Sequence, residues 1–267
     1  MRGHFFCHHR CIFIFAIAYL FISHPALADN NEITKTTATK GIGWTIVLSS
    51  LSNEETFIYN ESRAARRFSP ASTFKILNTL VSLEEKAVPE KEGLMKWDGH
   101  QYDIQDWNQN QTLKSAFRLS CVWYFQALAR RVGVEKYRDY LHRTAYGELR
   151  EPFDATSFWL DDSLQISAIE QVEFLRNVYQ RAFPFSVSNY ETLRQIMLVE
   201  SGPTFTIWAK SGWVSSVTPQ IGWYVGYVET TTDVWFFALN MDILSEDELP
   251  MRQQLTKAIL QKKGIIK

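Results

Sequence analysis

The chain has 267 residues, 46% of them hydrophobic and 14% aromatic. That is enough to bury a full core in one large domain or two intimate ones, and it excludes disorder as the main state. The 28 basic and 29 acidic residues give a formal charge of −1 and are scattered along the chain, so no electropositive face for nucleic acid is implied.

At the N-terminus, Arg2 and Arg10 accompany the nearly continuous apolar run Cys11 to Ile22, and Ala26-Leu27-Ala28 offers small residues to a signal peptidase. Residues 1–28 are expected to be a signal peptide cleaved after Ala28, which leaves 29–267 as a periplasmic or secreted protein. The apolar run is about 12 residues against the ~20 that a spanning helix needs, so no stable membrane insertion is expected after cleavage.

Gly43 to Leu48 and Thr56 to Tyr59 are β-branched and aromatic runs separated by Ser52-Asn53-Glu54-Glu55, which predicts a hairpin. From Ser72 to about Tyr190 the period turns helical. Phe74, Leu77, Leu80 and Val81 follow it, as do Val122, Phe125, Leu128 and Ala129, and Ile166 to Tyr179 and Tyr190 to Leu198 are further helix candidates. After Pro203, strands are predicted at Phe205 to Ala209, Trp223 to Val228 and Val234 to Leu239, followed by a closing helix from about Glu246 to Gln261. Strands at both ends around a helical middle predict an α+β fold: a sheet part from 29–70 and 191–267, with the mostly helical part 71–190 inserted.

Cys7 and Cys11 would leave with the signal, so only Cys121 remains and no intrachain disulfide can form. Of the six histidines, His100 and His142 remain without a cysteine partner or HExxH spacing. No metal is expected, and a Ser-His-Asp hydrolase is disfavoured. His142, in Tyr140-Leu141-His142-Arg143, reads as a helix-surface residue.

The chemistry gathers at three places. In Pro70-Ala71-Ser72-Thr73-Phe74-Lys75, a serine at a helix start has a lysine at i+3, on the same face. A hydroxyl needs a neighbouring base to become a nucleophile, and burial can keep a lysine neutral for that task. The unpaired N–H groups of the helix start would favour negative charge at Ser72. Ser120-Cys121-Val122 brings a second hydroxyl at the opening of a helix. Lys210-Ser211-Gly212, read at the end of the Phe205 to Ala209 strand, offers an ammonium, a hydroxyl and a residue without Cβ along which a ligand can lie. Each motif alone is common. A serine-x-x-lysine, then a middle serine, then Lys-Ser-Gly is a rarer conjunction, in the order of penicillin-recognising serine enzymes.

Over its whole mature length the chain resembles the class D (oxacillinase-type) serine β-lactamases. The matching stretches are Phe68-Ser69-Pro70-Ala71-Ser72-Thr73-Phe74-Lys75-Ile76, Lys96-Trp97-Asp98-Gly99, Ser120-Cys121-Val122, Tyr146-Gly147, Phe158-Trp159-Leu160, Ile166-Ser167-Ala168, Lys210-Ser211-Gly212-Trp213, Gly222-Trp223-Tyr224-Val225-Gly226 and Val234-Trp235-Phe236-Phe237-Ala238. The resemblance implies a serine β-lactamase/penicillin-binding-protein-like fold, with an antiparallel sheet from both termini flanked by helices and an inserted all-α domain. It implies hydrolysis of β-lactam antibiotics through an acyl-serine, with no cofactor beyond the carbon dioxide or bicarbonate that carboxylates Lys75. Dimers occur in the family, so a homodimer is compatible with it.

By the same resemblance Ser72 corresponds to the nucleophile and Lys75 to the N-carboxylated base. Phe74, Val122, Trp159 and Leu160 correspond to the lining of the carbamate pocket, with the Trp159 indole as donor. Ser120 corresponds to a proton relay to the lactam nitrogen. Lys210, Ser211 and Arg252 correspond to the set that holds the substrate carboxylate, Gly212 to the open strand edge, and Trp107 to an aromatic wall. The backbone N–H groups of Ser72 and Trp213 would form the oxyanion hole.

Two positions depart from the family pattern. Its Tyr-Gly-Asn is here Tyr146-Gly147-Glu148, and its Lys-Thr-Gly is Lys210-Ser211-Gly212. Serine keeps the hydroxyl, whereas Glu148 adds a charge expected near the site and offers an alternative deacylating base. Trp213 to Ile221 is similar in length to the short loop of certain carbapenem-hydrolysing members, without the basic residue some of them carry, and the substrate spectrum stays open. The rival readings are a β-lactam sensor domain and a cell-wall transpeptidase or carboxypeptidase, which are acylated but scarcely turned over.

Overall fold

The computed structural model describes Thr37, residues 40–53 and residues 55–267. The expected signal peptide at 1–28 lies outside the described residues.

The predicted hairpin forms from β1 (Trp44–Ser50) and β2 (Thr56–Tyr59), paired antiparallel with Val47 opposite Ile58. The chain continues through α1 (Glu61–Ala65) and a 3₁₀ turn (Ala71–Phe74) into α2 (Lys75–Glu84). The helical middle then comprises α3 (Leu113–Arg118), α4 (Val122–Val132), α5 (Val134–Thr144), α6 (Ala168–Tyr179) and α7 (Val187–Met197). A small ladder of β3 (Glu148–Leu149) and β4 (Leu164–Gln165) interrupts it. Helix α6 begins two residues after the expected Ile166, where the Ser167 hydroxyl accepts from Glu170 N and the Glu170 carboxylate accepts from Ser167 N, a reciprocal cap.

The last part is β5 (Leu198–Ser201), β6 (Phe205–Val214), β7 (Gln220–Thr230), β8 (Val234–Ile243) and α8 (Met251–Lys262). The six strands form one antiparallel sheet in the order β2-β1-β8-β7-β6-β5. The N-terminal hairpin thus joins the C-terminal strands through β1 and β8, which gives the expected α+β fold. Several expected bounds shift, among them those of β7 and β8, which extend beyond the runs read from the sequence. Strand β6 runs through Lys210-Ser211-Gly212 to Val214 instead of ending at Ala209. The β6–β7 loop shrinks to residues 215–219. The closing helix is divided into a 3₁₀ turn (Glu246–Glu248) and α8; Pro250 lacks an N–H and suits a helix start rather than an interior.

Side chains alternate across the sheet with period two. From β1, Trp44, Ile46 and Leu48 enter the core beneath α8 with Leu255 and Leu260, while Val47 enters the core shared with the inserted helices. On β8, Phe237, Leu239 and Met241 face the first, and Phe236 and Ala238 the second. The sheet is covered on both faces, and the 3₁₀ turn that carries Ser72 lies where the helical core meets β6.

Candidate active site

Ser72 sits in the 3₁₀ turn that precedes α2, and α2 itself opens at Lys75. The i+3 spacing across this turn brings Lys75 Nζ to 2.8 Å from Ser72 Oγ. Lys75 is fully buried, with its ammonium 5.2 Å from the Phe125 ring centroid. Burial pulls its pKa down to about 7, against a small opposing influence of the Cys121 thiol. The thiol itself is pushed up to about 11, chiefly by burial, so Cys121 is a protonated, unreactive neighbour at neutral pH.

Trp159 is buried and stacks on Phe74 at 5.5 Å between centroids. Its indole N–H has no hydrogen-bond partner, an arrangement that costs free energy unless a ligand accepts the bond. Val122 and Leu160 line the cleft, whereas Phe74 and Trp159 are fully buried and are not among its lining residues.

Ser120 adopts a left-handed conformation (φ 56°) just before α4, and Cys121 caps that helix. Its hydroxyl is in hydrogen-bond contact with Lys210 Nζ from β6, and Lys210 also donates to Ser211 O at 3.0 Å. Burial, followed by the charges of Lys75 and Arg252, holds the Lys210 pKa well below the usual lysine range. Placing Lys210 mid-strand explains this contact: Trp208 and Lys210, two apart, emerge on the face of β6 that meets the inserted helices. At Gly212 a Cβ would be tightly placed, 3.0 Å from Pro70 O and 3.1 Å from Thr73 Cγ2. The missing Cβ eases the close approach of β6 to the turn that carries Ser72.

Arg252, near the start of α8, donates from Nη1 to Gly212 O at 2.6 Å and from Nε to Leu249 O at 2.7 Å. Burial lowers its pKa to about 10, which leaves it charged at neutral pH. Trp107 is pinned beside Ser120 by donation from its indole to Leu119 O at 3.0 Å. Ser72, Trp107, Ser120, Val122, Leu160, Ser211, Gly212, Trp213 and Arg252 all line one cleft of about 480 Å³, with Lys75 and Lys210 buried at its base.

Glu148 is not among the residues that line this cleft. Its side chain is 62% exposed and pairs with Arg67 Nη1 at 2.5 Å, and Arg67 also pairs with Glu170 at 2.5 Å. The charge expected near the site is thus spent on a surface ion-pair cluster, which disfavours Glu148 as a deacylating base. His142 is exposed on α5, as its surroundings in the sequence suggest. Among the described residues, no cluster of His, Cys, Asp and Glu could hold a metal ion, and no helix is long and apolar enough to cross a membrane.

Sequence reasoning missed a layer of positioning groups. Gln171 Nε2 donates to Thr73 Oγ1 at 2.9 Å, Trp223 Nε1 donates to Ser69 O at 2.9 Å, and Ser69 Oγ donates to Trp159 O at 2.9 Å. These partners lie 90 to 154 residues apart in the chain, and no local pattern pairs them.

The family described as "Penicillin binding protein transpeptidase domain" matches residues 26–261. The chain is 37% identical over 258 residues to the β-lactamase OXA-48 of Klebsiella pneumoniae, covering 95% of this chain and 97% of that protein. Among solved structures it is similar to a class D β-lactamase from Nostoc, with TM-score 0.82 and 36% identity over 87% of this chain and 98% of the other. It is also similar to the C-terminal domain of the Bacillus licheniformis BlaR penicillin-receptor, with TM-score 0.82 and 33% identity over 88% and 96%.

Proposed function

This chain belongs to the class D β-lactamases, enzymes that hydrolyse β-lactams without a metal, and from that premise we propose that Ser72 is its nucleophile and Lys75, in N-carboxylated form, its general base. Lys75, whose Nζ lies 2.8 Å from Ser72 Oγ, takes the hydroxyl proton on an oxygen of its carboxyl group as Ser72 attacks the lactam carbonyl. The N–H groups of Ser72 and Trp213 receive the oxyanion. The Ser120 hydroxyl, in contact with Lys210, delivers a proton to the departing lactam nitrogen. Lys210, Ser211 and Arg252 hold the substrate carboxylate, and water then hydrolyses the acyl ester to a ring-opened acid.

The observation that carries the carboxylated form is the unpartnered Trp159 N–H, buried with a lysine whose pKa of about 7 leaves much of it as neutral amine. A carboxyl group formed on Lys75 from carbon dioxide would supply an anionic oxygen as base and an acceptor for that indole. Phe74, Val122 and Leu160 would exclude water around it.

The test uses a chromogenic cephalosporin and labelled bicarbonate. We expect many turnovers, loss of activity on acidification, recovery with bicarbonate at neutral pH, and a carbamate carbon resonance in the wild-type protein. Absence of that resonance together with indifference of the rate to bicarbonate overturns the carboxylated base. The similarity to the penicillin-receptor domain supports a second reading, a sensor that stops at the acyl-enzyme; one equivalent of stable acylation without turnover would establish it. We further propose export with cleavage after Ala28, which a mature protein beginning at Asp29 in mass spectrometry would support, and resistance to penicillins in a susceptible host.

A further inference from the structure

We propose that Ser69 is a positioning residue whose hydroxyl sets the placement of the Trp159 indole, and so tunes how tightly the Lys75 pocket holds its carboxyl group. The inference rests on the carboxylated-lysine reading above.

Ser69 is buried, three residues before the nucleophile, and lies outside the set that lines the cleft. Its main-chain carbonyl accepts from Trp223 Nε1 at 2.9 Å, which ties the turn to the central strand β7. Its hydroxyl donates at 2.9 Å to the carbonyl of Trp159 itself. The loop bearing Trp159 meets this segment again at Ile166, through two backbone bonds with Phe68 at 2.9 and 3.0 Å. That second attachment lies seven residues past the tryptophan; Phe158 O accepts from Leu164 N at 2.9 Å and Leu160 N donates to Ser157 O at 2.6 Å within the loop itself, so Ser69 is what ties the carbonyl of Trp159 to the segment that carries Ser72.

On the other side the indole is held by apolar contact, stacked on Phe74 at 5.5 Å and edge-on to Phe158 at 5.1 Å. Stacking fixes the plane of a ring more firmly than its position within that plane. A hydrogen bond from the indole weakens steeply as its angle departs from linearity. In-plane placement of the N–H therefore depends on the backbone of Trp159, and Ser69 is the side chain that anchors it. Replacing Ser69 by alanine leaves a buried carbonyl without its donor, so the loop gains by shifting towards another donor.

The experiment titrates purified wild-type, Ser69→Ala and Ser69→Cys chains with labelled bicarbonate at one pH and reads carbamate occupancy by carbon NMR. Folded state is checked by thermal unfolding, and the acylation burst is measured at saturating bicarbonate by mass spectrometry. We expect Ser69→Ala to need about tenfold more bicarbonate for half occupancy, the loss of one buried hydrogen bond, with its acylation burst retained. Ser69→Cys, of similar size and with a weak donor, falls between. Half occupancy within about twofold of wild type in Ser69→Ala overturns the proposal, and if that variant is not recovered folded, the same criterion applied to Ser69→Cys decides it. A wild-type chain that gives no carbamate signal overturns the underlying reading instead, and the two failures are thus distinguishable.

Discussion

At the residue scale, burial brings the Lys75 pKa to about 7, against ~10.4 for an exposed lysine. Below about 7 the side chain is protonated in both the folded and the unfolded chain, and the folded state bears the full desolvation penalty. Between that value and ~10.4 the unfolded chain binds a proton that the folded chain does not, so stability rises with pH across this window. Lys75→Met, measured in carbon dioxide-free buffer, should abolish turnover yet raise the unfolding midpoint, most at about pH 6 and progressively less towards pH 10. A gain that is equal at both ends would assign the effect to packing. Arg252 bears on binding instead. A guanidinium contact made equally to substrate and transition state appears in KM. Arg252→Ala should raise KM for penicillins about tenfold or more with kcat nearly kept, and Arg252→Lys should recover part of the loss. An unchanged KM would leave carboxylate anchoring to Lys210 and Ser211.

At the element scale, the pairing of β6 with β7 decides whether Lys210 reaches Ser120. Lys210 lies opposite Val225, and Ala209 opposite Gly226. A Cβ on Gly226 would stand 2.1 Å from Trp208 O and 2.8 Å from Ala209 Cα, both parts of the backbone that carries Lys210. Relief requires the two strands to separate, and overpacking of this kind costs about 1–3 kcal/mol or more. Gly226→Ala should therefore lower the unfolding midpoint in urea and impair turnover in the fraction that remains folded. Full specific activity per folded molecule would show that β6 is positioned from its helical side alone.

At the scale of the whole molecule, β1 from one end of the chain and β8 from the other are neighbours within one sheet, and α8 closes the face opposite the inserted helices. Leu255 of α8 is fully buried in the core between that helix and the sheet. Leu255→Ala should cost about 2–5 kcal/mol, as large-to-small changes in cores do. Since strands from both ends share the sheet, the loss should be seen as one cooperative shift in urea, equal by tryptophan fluorescence and far-ultraviolet circular dichroism. Two separated transitions would mean that the helical middle unfolds on its own.

What could be read without coordinates was whatever the chain encodes locally. The Ser72–Lys75 pair needs only an i+3 spacing in a helical turn, and the hairpin of β1 and β2 needs only two β-branched and aromatic runs parted by a short polar stretch. The order of the three motifs, together with the surrounding matches, was enough to indicate the family. Tertiary structure decided what depends on contacts between distant segments. The Lys210–Ser120 contact spans 90 residues, and β6 continues past Ala209 because β7 supplies its ladder bonds, although lysine, serine and glycine interrupt the apolar pattern there. Glu148 looked like a charge at the site until Arg67, 81 residues away, drew it into a surface ion pair. Neighbours along a chain are fixed by covalent geometry, whereas partners across the fold are chosen by packing and by the need to satisfy every buried polar group. For the same reason, the unpartnered indole of Trp159 became visible only once everything around it was in place.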